Sequence, residues 1–357
     1  MVNPKPLWSL SILMLLLSCA LQMTATHLVG GELTYEFTGV NAQGENEYEV
    51  HCYIYRDCSS NNTNGTGFDN SAVIGVYQGN NFITSASGFL NPSLVIEIIP
   101  ENPNNCAFLP EDLCIERAEY IISLSLPPSQ QEYTLVHQRC CRSPVIINLT
   151  IPGDQGFSLI ATIPASASAN FVNSTPVFDE LPQAFVCSNY PFSIDNSATD
   201  LDGDSLSYSI SPIYLGGTPM FPIPNPPTGP PFNQVNWAPG FAPQVPLGAG
   251  SGIAIDPVTG IMSATPGIIG KFVLGVVVTE WRDGQSIGSI LRDFTMDVVT
   301  CNILSPGYDA PDPCSGLTVN FDQFMNPSDT YAWDFGATNS GDDQSAEAEP
   351  QFTYEEP

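Results

Sequence analysis

The sequence predicts an all-β chain built from serial β-sandwich domains. Three observations carry this. Short runs rich in β-branched and aromatic residues recur: ELTYEF, YEVHCYIYR, AVIGVYQ, SLVIEII, YIISLSL and EYTLVHQ. Turn clusters such as NNTNGTG and NPNN separate them. No long stretch carries helical periodicity. The 33 Pro and 29 Gly fit the same picture, because many short strands joined by polar turns form sandwiches or barrels.

The first element is a leader. Lys5 is the one basic residue before the apolar run SILMLLLSCALQM, and the small residues Thr24, Ala25 and Thr26 follow it. That layout is a secretory signal peptide over residues 1–25, too short and isolated for a membrane span. The mature chain then begins THLVGGELTY. A lipoprotein signal ending at Cys19 is the rival reading, and Leu17 fits that pattern poorly.

Composition agrees with export to a secreted or cell-surface location. Nine of the ten Cys follow the leader, and exported chains use Cys as staples. Lys and Arg total 8 against 37 Asp and Glu, a net charge of −29. Such a charge repels phosphate backbones and anionic lipid, which excludes nucleic-acid binding. After the leader, no membrane span is expected.

Length suggests two or three domains. One boundary is expected at residues 164–176, where PASASANFVNSTP is small, polar and poor in charge. A second is expected near 302–312, at NILSPGYDAPD. These give domains over 26–170, 176–302 and 303–357. The Pro- and Gly-rich stretch from Ser211 to Gly252 carries Phe232, Trp237 and Phe241, apolar weight that a free linker would not need. It is read as a long loop within the middle domain.

Several constellations bear on chemistry. His137, Cys140 and Cys141, with His51 and Cys52, have zinc-ligand types, but disulfides are favoured in an oxidising compartment. A catalytic thiol would be oxidised or paired there. The chain has three His and no recognisable nucleophile elbow, and it is read as non-enzymatic. Cys106 and Cys114 flank a short loop and are expected to pair. Cys140 and Cys141 are adjacent and are expected to reach different partners. Asp200, Asp202 and Asp204 place three carboxylates within five residues, and hard oxygen ligands suit calcium. Ser205 stands where an EF-hand needs Gly, so this is not that loop. An acidic surface turn is the plainer alternative. Asp256 is a fourth candidate ligand, and opening the Pro-containing IDPVTG turn is its alternative role. Sequons at Asn61, Asn64, Asn148 and Asn173 are read as turn residues.

Three resemblances follow from motifs. ATDLDGDSLSYSI, then GIAIDPVTGIMSATPGIIGKFVLGVVVTE, resembles the cadherin-like immunoglobulin sandwich of bacterial surface proteins. That implies an Ig-like fold over 176–302 and strengthens the calcium expectation. Cys187 and Cys301 bracket this domain, and a bridge between them is expected. Cys52, Cys58, Cys140 and Cys141 would then pair among themselves, leaving Cys314 without a partner in the chain. The segment YAWDFG to TY, with Trp333, Asp334, Phe335, Gly336, Pro350 and Tyr354, resembles a polycystic-kidney-disease (PKD) repeat. Ala337 replaces its usual acid. The sequence stops before the strands that would complete that sandwich, so a longer protein is expected. Finally, THLVGGELTY, YRDC and HQRCCR resemble the N-terminal region of secreted Bacteroidota proteins of the gliding-motility-associated type. Relatives there carry a Cys where Phe37 stands, whereas this chain has Cys52.

The functional expectation is a non-catalytic surface protein whose structural and adhesive modules meet other surface proteins or glycans. One alternative is the spacer of a secreted hydrolase whose catalytic domain lies beyond Pro357. Another is a carbohydrate-binding module using Trp237 or Trp281.

Overall fold

The computed structural model describes residues 28–58, 67–98, 114–165, 172–301, 318–321, 331–336 and 343–354. The leader with Cys19, the cysteines Cys106 and Cys314, and the sequons at Asn61 and Asn64 lie outside these residues. The fold is all-β. It divides into two compact units, residues 1–101 with 111–299, and residues 102–110 with 300–357.

The first unit opens with a hairpin of β1 (Leu28–Val40) and β2 (Asn46–Asp57). A second hairpin joins β3 (Ser71–Gln78) to β4 (Asn81–Phe89). Then come β5 (Ile96–Ile98), β6 (Ile115–Leu126), β7 (Tyr133–Arg139) and β8 (Phe157–Ile163). Alternation decides which face is buried. Along β2, Tyr48, Val50, Cys52 and Ile54 point inward, and along β6 Ala118, Tyr120, Ile122 and Leu124 do the same. They share a core with Ile74 and Val76 of β3, Leu135 of β7 and Leu159 of β8. Two faces of one curled sheet therefore pack as a sandwich.

The chain continues through β9 (Val177–Phe178), β10 (Phe185–Cys187), β11 (Phe192–Asp195), β12 (Ala198–Thr199) and β13 (Ser205–Ser211). It then forms β14 (Ala254–Ile255), β15 (Ile261–Ala264), β16 (Gly270–Arg282) and β17 (Gln285–Val299). A small sheet, β11-β15-β14, supplies Phe192, Ile194 and Met262 to the core. These join Tyr208 of β13, Leu274 and Val276 of β16, and Met296 of β17 in the same cluster.

β17 binds the two halves together. Along one edge it pairs with β16 from Gly270↔Val298 to Arg282↔Gln285. Its other edge takes β8 at Ile290↔Ala161, then β1 at Gly30↔Phe294 and Gly31↔Asp293, then β10 in parallel up to Cys187↔Val299. The approach of β1 is close. Gly30 has φ +141°, and a Cβ there would lie 1.9 Å from the Asp293 carbonyl oxygen. No L side chain fits that position.

Two ion pairs are buried at this crossing. Arg142 engages Asp293 with both arms of its guanidinium, Nη1 donating to Oδ1 at 2.8 Å. Arg292 Nε donates to Glu32 Oε2 at 2.5 Å, and Tyr55 donates to Glu32 Oε1 at 3.1 Å. The Arg292 guanidinium also stacks 3.6 Å from the Phe178 ring centroid. Arg142 and Arg292 are each 1% exposed.

The expected boundary at 164–176 is corrected by this arrangement, because both flanking segments belong to one unit with one continuous core. Composition misled for a physical reason. Ser174 and Thr175 are small and polar because they hydrogen-bond to β1. Thr175 N donates to the Tyr35 carbonyl at 2.9 Å, and Tyr35 N donates to Thr175 Oγ1 at 2.9 Å. Asn148 and Asn173 of the sequons are both buried, and their amides bond to the protein interior.

The disulfides also differ from expectation. Cys114 pairs with Cys58, not Cys106. The β2–β6 register explains it. Asp57 faces Ile115, so the next pair outward is Cys58 and Cys114. Cys140 and Cys141 are bonded to each other, not to separate partners. Cys52, expected to be bridged, is a buried free thiol. It faces the core opposite Tyr120, with no partner cysteine on that face among the described residues. Cys187 and Cys301 are each disulfide-bonded.

The described part of the second unit holds β18 (Thr318–Asn320), β19 (Trp333–Asp334), β20 (Gln344–Ser345) and β21 (Gln351–Thr353), paired β18 with β21 and β19 with β20. Its centre is aromatic. Phe335 lies 5.0 Å from Phe321 and 4.5 Å from Phe352, and Tyr354 donates to the Phe335 carbonyl at 2.9 Å.

Two outcomes are expected. Asp293→Ala strands the buried Arg142 charge and should destabilise the first unit by about 3–5 kcal/mol in urea unfolding. Asp293→Leu combined with Arg142→Met should cost much less. In non-reducing peptide maps, Cys58 and Cys114 should emerge linked, and Cys52 should react with maleimide only after denaturation. In the chain-entropy model the Cys58–Cys114 bridge, which spans 56 positions, contributes about 4 kcal/mol.

Candidate acidic site

The DLDGD turn leads from β12 into β13, and hydrogen bonds set its shape. Asp200 Oδ1 accepts from Asp202 N at 3.0 Å and from Asp204 N at 2.9 Å. This is an Asx-type turn, in which the side chain replaces a backbone acceptor. Gly203, at φ +83°, lets the chain fold back under it.

Strand register then brings in β16. Ser205 faces Trp281, so Asp204 stands beside Arg282. Arg282 grips Asp204 with both arms, Nε to Oδ1 at 2.7 Å and Nη2 to Oδ2 at 2.5 Å. Glu280, two residues earlier on β16, points to the same place and is fully buried. Asn173 links these groups. Its Nδ2 donates to Glu280 Oε1 at 3.0 Å and to Tyr35 Oη at 3.1 Å, while its Oδ1 accepts from Arg282 at 3.0 Å.

Ligand atoms of Asp200, Asp204 and Glu280 lie within 4.8 Å of one another. Two oxygens here, Asp200 Oδ2 and Glu280 Oε2, are buried with no hydrogen-bond partner. Burial first, and then repulsion from Asp200 and Asp204, pushes the Glu280 carboxyl up to about 8. The Asn173 hydrogen bond and the Arg282 charge oppose that rise. Burial also raises Asp200, helped by the charges of Asp204 and Asp202. The corner therefore either keeps a proton on Glu280 or accepts a cation beside it. Oxygen-only donors with orphaned lone pairs fit a hard divalent ion.

Of the expected set, Asp200 and Asp204 come together, and two residues lie outside the cluster. Asp202 is turned away, its Oδ2 accepting from Ser174 N at 2.5 Å. Asp256 is exposed and caps its own turn, accepting from Val258 N at 2.9 Å and Thr259 N at 2.8 Å. Those bonds hold its carboxyl below the usual range. Glu280 is the third carboxylate of the cluster. Its signal in the sequence was a lone acid inside the apolar run GKFVLGVVVTE, which needs a partner once buried.

The other constellations are structural where described. His137 is buried with Nδ1 2.9 Å from the Val73 carbonyl, and burial pulls its pKa down. Cys140 and Cys141 are oxidised, so they offer no thiolate to zinc. His51 sits on the opposite face of β2 from Cys52 and contacts Glu119 at 2.7 Å. Trp237 packs against Ile146, Leu149 and Val235, while Trp281 is 38% exposed and donates to Ser207 Oγ at 2.7 Å.

No helix among the described residues is long and apolar enough to cross a membrane. No family model matches the chain, and no curated protein matches it. Among solved structures, the chain is similar to the two tandem V-type regions of VCBP3, a v-region-containing chitin binding protein. The identity is 10%, covering 75% of this chain and 100% of that one, with a TM-score of 0.31.

Proposed function

We propose that the chain is a non-catalytic extracellular module, structural and adhesive in role, whose DLDGD corner is tied by calcium. The observation that carries this is the pair of unpartnered buried oxygens of Asp200 and Glu280 beside Asp204. Asp200, Asp204 and Glu280 would hold the ion, and Arg282 would keep Asp204 in place. The ion would supply positive charge that joins the β12–β13 turn to β16. The Cys58–Cys114 bridge and the acidic composition support an extracellular setting. The resemblance to secreted Bacteroidota surface proteins supports the same reading.

Thermal unfolding of the full chain tests the metal. After stripping with a chelator, calcium should raise the first unit's midpoint by several degrees, and magnesium by less. Extracellular calcium modules bind at about 10⁻⁴ to 10⁻³ M, and a hundredfold excess over that constant stabilises by about 2.7 kcal/mol. Asp200→Asn should abolish the shift and Asp256→Asn should leave it intact. A midpoint indifferent to calcium up to about 10⁻¹ M, a hundredfold above that constant, sinks the proposal.

The pH dependence has a definite sign. Glu280 is pushed up to about 8 in the fold, while an unperturbed Glu titrates at about 4.3. Between these values the folded chain holds a proton that the unfolded chain has released. In chelator, this group's contribution to stability should therefore fall as pH rises through that window. Glu280→Gln mimics the protonated form and should flatten the decline. Calcium competes with that proton, so its stabilising effect should be larger near about pH 8.5 than near about pH 6.

A further inference from the structure

The loop between β13 and β14 does not float. It lies across β7, β8 and the turn that follows β7, and leaves a groove of about 530 Å³ between them. That volume is within the range of about 300–1,000 Å³ usual for small-ligand sites.

Two buried glutamines hold the walls. Gln138 Oε1 accepts from Thr228 N at 2.8 Å, and its Nε2 donates to the Thr228 carbonyl at 3.2 Å. Gln155 Oε1 accepts from Asn236 N at 2.7 Å. Ser158 N donates to the Tyr214 carbonyl at 3.2 Å, fixing the loop's start on β8. The walls are therefore set before any ligand arrives, which lowers the entropy cost of binding. One wall residue is strained. Ile151 sits at φ 48°, ψ 60°, a left-handed conformation that a β-branched side chain rarely adopts. It is 66% exposed at the groove, where packing alone does not account for it.

The lining sets the ligand class. Phe232 provides a half-exposed aromatic face, steadied by Tyr214 at 5.9 Å between ring centroids. Beside it the exposed side-chain amides of Asn233 and Asn236 make no hydrogen bond to the described protein. Asp154 is the one charged residue among the described lining, and no Lys or Arg is present there. With a net charge of −29 behind it, the groove disfavours anions. A single solvated carboxylate gives a cation little to hold. Neutral donors and acceptors beside a flat apolar face suit a pyranose ring, with its C–H face on the aromatic and its hydroxyls on the amides.

We infer that this groove binds a neutral oligosaccharide, with Phe232 as the stacking platform and Asn233, Asn236 and Asp154 as hydroxyl partners. The inference rests on the reading of the chain as an extracellular adhesive module, and names the class of ligand for it.

The test uses the full chain on an array of neutral and acidic oligosaccharides, including cellohexaose, xylohexaose and N-acetylchitohexaose. Calorimetry then follows with the neutral glycan that gives the strongest signal. Phe232→Ala should weaken that binding about ten-fold or more, and Asn233→Ala with Asn236→Ala comparably. Trp281→Ala should leave it unchanged, and all variants should keep the parent's melting temperature. Three results overturn the inference: no neutral glycan bound, acidic glycans alone bound, or binding that survives the groove variants. The calcium response of the same sample is read in parallel. A calcium-stabilised chain that binds no glycan loses this inference and keeps the metal-tied corner. Glycan binding that survives the groove variants moves the ligand elsewhere and keeps the adhesive reading.

Discussion

Burial of the Arg142–Asp293 and Arg292–Glu32 pairs is the constraint on which the first unit depends. Charges taken out of water at this depth must be matched, because an unmatched one costs several kcal/mol. Arg292 and Asp293 are consecutive on β17, so their side chains leave opposite faces of the strand. One reaches β1 through Glu32, and the other reaches the segment after β7 through Arg142. The pairs therefore fix β17 against two parts of the N-terminal half at once. Gly30 completes the joint by letting the β1 backbone approach where any side chain would collide. Such pairs add less to net stability than their geometry suggests. What they supply is register, since a shift of one residue would turn both charges onto the wrong faces.

Three short stretches that lie far apart in the sequence meet at this joint. VGGE supplies the close approach and Glu32. HQRCCR supplies Arg142, after Arg139 has turned to Asp69. LRDF supplies Arg292 and Asp293. Strand content was legible from alternation, and the β2 and β6 runs were read where they occur. Their pairing was not legible, because β2 finds β6 across nearly sixty intervening residues. That register decides the cysteines. Once Asp57 faces Ile115, Cys58 must face Cys114, whatever the shorter spacing from Cys106 suggests. The boundary at 164–176 misled for the complementary reason. Small polar residues mark linkers, and they also mark strand partners that bond through hydroxyls.

The acidic corner shows the same limit at the level of single side chains. Spacing within DLDGD identified a carboxylate cluster, and Asp200 and Asp204 do face one point. It could not tell which acids would be taken up by backbone N–H groups. Asp202 is spent on Ser174 N and Asp256 on its own turn. The third member, Glu280, arrives from a strand some eighty residues later. Asn173 stitches it to Tyr35 and Arg282, so the corner is tied to β1 as well as to β16. A group bound there would act on the contact between both halves, not on an isolated surface turn.

The loop between β13 and β14 adds a further tie of the same kind. It leaves β13 in the C-terminal half of the unit, yet its hydrogen bonds run to Gln138, Gln155 and Ser158 in the N-terminal half. Its prolines and glycines are the composition of a linker, but here they shape a series of tight turns, Phe241 N bonding to Ala238, Val245 N to Ala242 and Gly248 N to Val245. Leu149 pairs with Trp237 across this contact, and Asn148 bonds to the Pro246 and Val273 carbonyls beside it. These bonds hold the loop against β7, β8 and β16 at several separate points. The same tethering that makes the halves one body therefore preserves a preformed groove on its surface.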